Sequence, residues 1–184
     1  MRKNPYKGKF VLFEGIDGSG KTMQSRMLAD RLSQEGHHVL LTREPTNDNM
    51  FGTLARFLYT CGSLHEEAPI IMRRTMGSRQ YNDLRPLLHK KHLERCEEMA
   101  HEIIRGDHRN LPLFLQTTMI FDRFIHYLDA IMPALYKGTV VVSDRGFLST
   151  LAYSAADDIN WLPLLNAHEE IMGNAFIVPD LVYF

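Results

Sequence analysis

The amino-acid sequence predicts an α/β fold in three layers, with helices on both faces of a parallel sheet. Four short apolar runs are separated by longer helical segments, and we expect strands near residues 9–14, 38–43, 139–144 and 179–184. Runs that are apolar at consecutive positions are typical of strands buried on both faces, as in a parallel sheet. A glycine-rich segment follows the first run directly, as in motifs that join a strand to a helix.

The segment between the first two strands is predicted to form a helix. Met27, Leu28 and Leu32 recur at helical spacing, and Gly36 stands where a helix commonly ends. Strand, helix and strand in this order form a βαβ unit, whose crossover is right-handed. If the glycine-rich loop lies at a topological switch point of the sheet, the first strand is central. We therefore predict the spatial order 2-3-1-4 for the strands, numbered along the chain.

Residues 65–110 are dense in charge and are interpreted as a charged helical insertion. Pro86 suits the first turn of a helix, and apolar residues follow it at helical spacing. The apolar positions are Leu93, Cys96, Met99, Ala100, Ile103 and Ile104. We expect a solvated helix that packs on the body of the protein through this stripe.

A second amphipathic helix is predicted from Thr117 to Leu135. Its apolar residues are spaced for burial on one side, and Gly138 ends it before the third strand. The helix therefore leads directly into the sheet.

A weaker hypothesis concerns His89, His92 and Cys96, whose spacings of three and four place them on one face of a helix. Their side chains are of the types that bind zinc, but no fourth ligand is apparent. Because a structural zinc site needs a closed set of ligands, a solvated or packed helix face is the favoured interpretation.

Composition restricts the class of protein. The formal net charge of −1 favours neither nucleic acid nor a membrane surface as the main partner. The two cysteines, Cys61 and Cys96, form no spaced disulfide framework, and no apolar run reaches membrane-spanning length. We expect a single cytoplasmic domain over residues 1–184.

The strongest chemical signal is the segment from residue 15 to 22, which matches G-x-x-x-x-G-K-[ST] without a gap. It comprises Gly15, Ile16, Asp17, Gly18, Ser19, Gly20, Lys21 and Thr22. Its glycines let backbone N–H groups point at phosphate oxygens, and the following helix N-terminus adds further donors. Lys21 supplies a charge to the β- and γ-phosphates, and Thr22 offers a hydroxyl ligand to Mg²⁺. The segment predicts an ATP-binding P-loop in a P-loop NTPase-like fold.

Charged residues also follow two other predicted strands. Arg43 comes at the end of the second strand, and Asp144 and Arg145 come at the end of the third. Ligands of open α/β sheets bind at the carboxyl ends of strands, where two guanidinium groups suit a second phosphate. Asp144 suits a carboxylate that holds Mg²⁺ through water. This arrangement predicts a phosphoryl-transfer enzyme that acts on a phosphorylated acceptor, with Lys21, Asp144 and Arg145 as catalytic residues.

The chain resembles the thymidylate kinase family of P-loop nucleoside-monophosphate kinases. The similar segments are Phe13 to Gln24, Thr42-Arg-Glu-Pro45, Asp122-Arg123, Pro133-Ala-Leu135, Ser143-Asp-Arg145, Leu148 to Tyr153 and Pro179-Asp-Leu181. They occur in the order of the family and cover most of the chain outside the charged insertion.

The resemblance implies a reaction and residue roles: ATP and dTMP give ADP and dTDP, with Mg²⁺. Asp17 accepts the 3′-hydroxyl of the acceptor sugar, and Arg43 and Arg145 hold its phosphate. Arg123 hydrogen-bonds the base, and Tyr153 lies near C2′ and disfavours a ribonucleotide. Met119 stands where the family usually places a phenylalanine that stacks on thymine. A homodimer is also implied.

The resemblance further implies that the chain is incomplete at its C-terminus. The family continues beyond the position of Phe184 with a mobile lid, a fifth strand and a closing helix. Members whose P-loop lacks an arginine, as here with Gly18, take catalytic arginines from the lid. We therefore expect this form to bind nucleotide and to turn over slowly.

Two other functions stay open at this stage. One is a deoxynucleoside kinase, against which Arg43 argues because a nucleoside needs no phosphate-binding arginine. The other is a nucleotide-binding protein or fragment that does not catalyse transfer.

Overall fold

The computed structural model describes residues 1–61 and 67–184, without the side chain of Cys61. His65 and Glu66, at the start of the predicted insertion, therefore lie outside the described residues. The chain divides into two compact units. The sheet unit comprises Met1–Glu44, Arg123–Thr150 and Met172–Phe184, and the helical unit comprises Pro45–Asp122 and Leu151–Ile171. That residues 1–184 form a single domain stays a prediction.

The strands are β1 (Arg2–Lys3), β2 (Phe10–Phe13), β3 (Val39–Arg43), β4 (Val140–Asp144), β5 (Ile177–Val178) and β6 (Leu181–Tyr183). The main sheet has the order β3-β4-β2-β6, and every pairing in it is parallel. This confirms the predicted strand order, with the first long strand in the interior. The register aligns Phe13 and Arg43 with Asp144, so the charged residues after the strands meet at one edge.

The inner and outer strands differ in burial. All residues of β2 are buried, and β4 is buried except for its first residue. The outer strands are more open, because Leu41 of β3 and Leu181 of β6 are 41% and 46% exposed. The prediction of strands covered on both faces is therefore correct for the inner pair and wrong for the outer pair, which lie at the sheet edges.

The sequence analysis missed a second sheet of two short strands. Arg2 of β1 pairs with Ile177 of β5, and Lys3 pairs with Val178, in parallel. A strand of two residues is too short to produce a periodic pattern, which explains the omission.

The helices are α1 (Lys21–Gln34), α2 (Met50–Cys61), α3 (Ala68–Met76), α4 (Arg79–Leu84), α5 (Lys90–Ile104), α6 (Leu111–His126), α7 (Met132–Tyr136), α8 (Phe147–Ala156) and α9 (Trp161–Met172). Helix α1 follows the P-loop and ends just before Gly36, as predicted. Its residue Ala29 packs with Val11, Phe13 and Val142 of the sheet, and Leu28 and Leu32 border this core.

Two predicted helix boundaries are corrected. The helix expected from Thr117 to Leu135 begins earlier, at Leu111, and includes a π-helical segment, Tyr127–Ile131, before α7 ends at Tyr136. Pro86 does not open α5, because it lies in a 3-10 turn at Arg85–Leu87 and α5 begins at Lys90.

The apolar stripe of α5 is buried within a single chain. Its buried members are Leu93, Cys96, Met99, Ala100 and Ile103, and Ile104 is half-buried. Helix α5 packs against α3 inside the helical unit. The stripe therefore gives no support for a subunit interface, and the homodimer stays a prediction. Within residues 1–61 and 67–184, no helix is both long and apolar enough to cross a membrane.

Candidate active site

The P-loop connects β2 to α1 in the sheet unit. Gly15, Gly18 and Gly20 have φ angles of 140°, 80° and 88°, in a region that side chains with a Cβ rarely adopt. The loop therefore has the curled backbone that its sequence predicts, with the first N–H groups of α1 at its end. A cavity of about 530 Å³ beside it is lined partly by Ser19, Lys21 and Met27.

Lys21 is held over the loop. Its side chain is mostly buried, with 8% of the residue exposed. The Nζ atom donates to the carbonyl oxygen of Ile16 at 2.5 Å and lies 3.4 Å from Oγ of Ser19. The ammonium group is thus fixed where the P-loop backbone converges, as phosphate binding requires.

Thr22 and Asp144, the two predicted metal ligands, contact each other. Oγ1 of Thr22 donates to Oδ2 of Asp144 at 2.5 Å. The second carboxylate oxygen, Oδ1, is buried and has no hydrogen-bond partner among the described residues. A buried acceptor without a donor, next to a hydroxyl, fits a hard cation such as Mg²⁺, which prefers oxygen ligands.

Asp17 and Arg145 contact each other directly. Nη2 of Arg145 forms an ion pair with Oδ1 of Asp17, and Nη1 donates to Oγ of Ser149 at 3.4 Å. Arg145 has a φ angle of 74°, which is uncommon for a residue other than glycine and costs about 1–3 kcal/mol. The backbone is held there by a hydrogen bond from its N–H to Phe13, at 2.8 Å. The structure therefore pairs two residues that the resemblance assigned to separate parts of the acceptor.

Arg43 ends β3 and is exposed. Its side chain makes no hydrogen bond or ion pair with any residue that the structure describes. Since its Cα is aligned with that of Asp144, the free guanidinium group belongs to the same sheet edge as the P-loop. The arrangement leaves this cation available for an anionic ligand.

Arg123 lies in a buried polar network that the sequence analysis missed. Its Nε donates to Oε2 of Glu44 at 2.7 Å, and Nη1 and Nη2 lie 3.3 Å from the hydroxyl of Thr150. Nδ1 of His126 lies 3.4 Å from Oε1 of Glu44, and its Nε2 lies 2.7 Å from Oγ1 of Thr42. Because a carboxylate only accepts, Nδ1 donates to Glu44.

The charge of Glu44 is stabilised inside this network. Burial alone would raise the pKa of its carboxyl group, but the Arg123 charge and the His126 hydrogen bond together lower it. Glu44 is therefore an ionised group that fixes the guanidinium of Arg123. Its place directly after Arg43, within the similar segment Thr42-Arg-Glu-Pro45, is the signal that could have found it.

Glu14 is a second buried carboxylate, at the start of the P-loop. Its oxygens accept from the N–H of Ser149 at 3.1 Å and from the Ser149 hydroxyl at 2.5 Å. Burial raises the pKa of Glu14, although the Ser149 hydrogen bonds oppose this. Glu14 therefore ties the P-loop to the start of α8.

Met119, Tyr153 and Asp122 belong to the helical unit. Met119 on α6 and Tyr153 on α8 are half-buried, and the Tyr153 ring meets that of Tyr59 edge-on, with centroids 5.8 Å apart. Asp122 accepts from the N–H and hydroxyl of Thr46, at 2.8 and 2.6 Å, and so fixes the start of this unit. The base and sugar contacts expected of Met119 and Tyr153 stay predictions.

The zinc hypothesis is wrong. Nε2 of His92 hydrogen-bonds Glu170 at 2.7 Å, and burial raises the pKa of the Cys96 thiol to about 12. Across residues 1–61 and 67–184, no group of three histidine, cysteine or acidic side chains is arranged to hold a metal ion.

The fold and the site define a P-loop nucleotide-binding protein. A parallel sheet with the order β3-β4-β2-β6 carries the P-loop on an inner strand, with Lys21 bonded to the loop backbone and Thr22 bonded to Asp144. The family model for thymidylate kinase matches residues 13–72 and 89–184. The chain belongs to the thymidylate kinase family.

Individual relatives agree with this assignment. The chain is 34% identical to a probable thymidylate kinase of Pyrococcus horikoshii and 30% identical to a thymidylate kinase of Bradyrhizobium sp., over 88% and 98% of its length. It covers 60% of each of these two proteins. Among solved structures, the thymidylate kinase from Ehrlichia chaffeensis matches with a TM-score of 0.56 and 25% identity, over 95% of this chain and 72% of that one.

Proposed function

We propose that the protein transfers the γ-phosphoryl group of ATP to dTMP, which gives ADP and dTDP. The observation that carries this proposal is the meeting of two kinds of group at one sheet edge. The P-loop with Lys21 follows β2, and the unpaired cation of Arg43 follows β3, on either side of β4 and its Asp144. Family membership supports ATP as the donor and dTMP as the acceptor.

The donor side is formed by the P-loop. Its backbone N–H groups and Lys21 bind the β- and γ-phosphates, and they balance charge as the bond to the leaving oxygen of ADP breaks. Thr22 and the free oxygen of Asp144 are the residues that would hold Mg²⁺, the latter through water. When bound, Mg²⁺ would supply positive charge that offsets the negative charge of the phosphates.

The acceptor side is formed by arginines. Arg43 and Arg145 bind the phosphate of dTMP and bring its oxygen into line with the γ-phosphorus, to which it forms the new bond. Asp17 accepts a hydrogen bond from the 3′-hydroxyl of dTMP. For this, the carboxylate of Asp17 must share or give up the contact that it makes with Arg145. The network of Glu44 holds the guanidinium of Arg123, for which we propose a hydrogen bond to the base.

A coupled assay for ADP release, with dTMP, thymidine and other nucleoside monophosphates as acceptors, tests the proposal. Arg43→Ala removes hydrogen bonds to a charged group worth roughly 1.5–3 kcal/mol each, so kcat/KM for dTMP should fall about tenfold or more. ATP affinity should change little, whereas Lys21→Ala should abolish turnover and weaken ATP binding. Arg95→Ala, which removes an exposed arginine of α5, is the control and should leave kcat/KM unchanged.

Two outcomes would contradict the proposal. Thymidine turned over faster than dTMP would indicate a deoxynucleoside kinase. ATP binding without transfer to any acceptor would indicate a nucleotide-binding protein that does not catalyse. The homodimer and the cytoplasmic location stay predictions, which light scattering and cell fractionation test.

A further inference from the structure

A second cavity lies in the helical unit, in a region where the family model matches only in part. Residues 73–88, between the two matched segments, form the end of α3, helix α4 and the following turn. Together with α5 they line an open cavity of about 710 Å³. Its charged and hydroxyl-bearing walls are Arg73, Tyr81, Arg85, Glu97, His101 and Arg105. The known motifs of the P-loop and the sheet edge contribute nothing to it.

The charges of this cavity are unbalanced. Three arginines face one glutamate, which leaves two positive charges without a counterpart in its walls. Nε of Arg85 donates to Oε1 of Glu97 at 3.0 Å, and the Tyr81 hydroxyl donates to the same carboxylate oxygen. Arg73 and Arg105 make no ion pair with any residue that the structure describes. Arg73 and Arg105 are both exposed in this open cavity, so their guanidinium groups are accessible to an anion.

We propose that this cavity binds the diphosphate group of a small molecule. Guanidinium groups grip phosphate oxygens in pairs, so Arg73 and Arg105 each supply a fork. Glu97 fixes Arg85 and Tyr81 in the wall and so sets the third cation in place. Met76 and Ile104 add an apolar surface beside the cations. Both inorganic pyrophosphate and a nucleoside diphosphate carry the required group.

Calorimetric titration with inorganic pyrophosphate tests this site apart from the P-loop. The measurements use the full chain with Lys21→Ala, which weakens the P-loop, so the result does not depend on the proposed catalytic function. In this background, Arg73→Ala and Arg105→Ala should each weaken pyrophosphate binding about five- to tenfold. A parallel titration with ADP distinguishes the source of the ligand. If ADP binds more tightly than pyrophosphate and both variants weaken its binding, the ligand is a nucleoside diphosphate. If ADP and pyrophosphate bind equally, the cavity recognises the diphosphate group alone.

Two further variants make the test specific. Arg79→Ala removes the same charge from the same segment, at a side chain that is 94% exposed and paired with Asp83, and should change the affinity less than twofold. Glu97→Gln removes the negative charge of the cavity wall but keeps an oxygen that accepts from Arg85 and Tyr81, so it should tighten binding a few-fold, which loss of structure would not produce. Equal weakening by Arg73→Ala and Arg79→Ala would overturn the proposal. So would unchanged affinity in both Arg73→Ala and Arg105→Ala, or weaker binding in Glu97→Gln.

Discussion

The ion pair of Glu44 and Arg123 should be a main determinant of stability, and Glu44→Ala tests this. The two side chains are only 5% and 3% exposed, and Nη2 of Arg123 lies 2.7 Å from Oε2 of Glu44. Removal of the carboxylate takes away the acceptor of the Arg123 Nε hydrogen bond and the opposite charge beside a buried guanidinium. His126 loses its acceptor in the same substitution.

The expected loss of stability in Glu44→Ala follows from the burial of the ion pair. Removing one partner of a buried ion pair costs about 3–5 kcal/mol, because the remaining charge stays desolvated. For a chain of this size, that lowers Tm by roughly 6–20 °C. Glu44→Gln keeps an acceptor and loses only the charge, so its effect should be smaller. The double variant Glu44→Gln, Arg123→Met leaves neither charge unpaired. Its loss of unfolding free energy should be less than the sum of the losses in the two single variants.

Urea denaturation at pH 7, followed by circular dichroism, measures these differences. The control is Glu98→Ala, which removes an exposed carboxylate 3.1 Å from Arg95 and should cost no more than about 1 kcal/mol. The pH dependence has a defined sign. Since the pKa of Glu44 is lowered in the folded state, its contribution is present above the ordinary pKa of 4.5 and is lost as pH falls through the folded value. A loss below about 1 kcal/mol for Glu44→Ala at pH 7 would refute the reasoning.

Three further predictions concern single positions. Burial raises the pKa of Glu14, so its contribution to stability is present below the ordinary pKa of 4.5 and is lost as pH rises through the folded value. Glu14→Gln should therefore match the wild type near pH 4 in urea melts and become relatively more stable toward pH 8; a constant difference across pH would contradict this. Gly52→Ala places a methyl group 2.5 Å from Oδ1 of Asp122 and should cost about 1–3 kcal/mol, measured by thermal melting. The thiol of Cys96 is buried with a pKa of about 12, so native protein should resist iodoacetamide at pH 8 at this residue. Mass spectrometry should find Cys96 alkylated only after unfolding in urea, and rapid native labelling would show that the thiol is reachable.

The sheet could be predicted because its signals are local. Each long strand is a run of apolar residues, and the P-loop motif fixes which of them precedes a helix and lies in the interior. The order β3-β4-β2-β6 then follows from the rule that ligands bind at a switch point of the sheet. The paired strands β1 and β5 could not be predicted, since two residues carry no periodicity.

The buried network of the site could not be predicted in the same way. Glu44, His126 and Thr150 are polar residues whose partners lie far away in sequence, and no periodic pattern joins them. The stripe of α5 was expected to pack on the body of the protein, and it is a packed face of the helical unit. The pattern showed that the stripe had to be buried, but only the fold identifies α3 as a neighbour.

The contact between Asp17 and Arg145 shows how the site is organised before a substrate arrives. The backbone of Arg145 is fixed by its hydrogen bond to Phe13, so any movement of its guanidinium must come from rotation within the side chain. The carboxylate of Asp17 restricts that rotation and is itself 64% exposed, which allows it to be displaced. Arg43 has no such restraint and is exposed. The free energy needed to order the side chain therefore differs between the two arginines. We expect Arg145 to orient the proposed acceptor phosphate and Arg43 to add positive charge beside it.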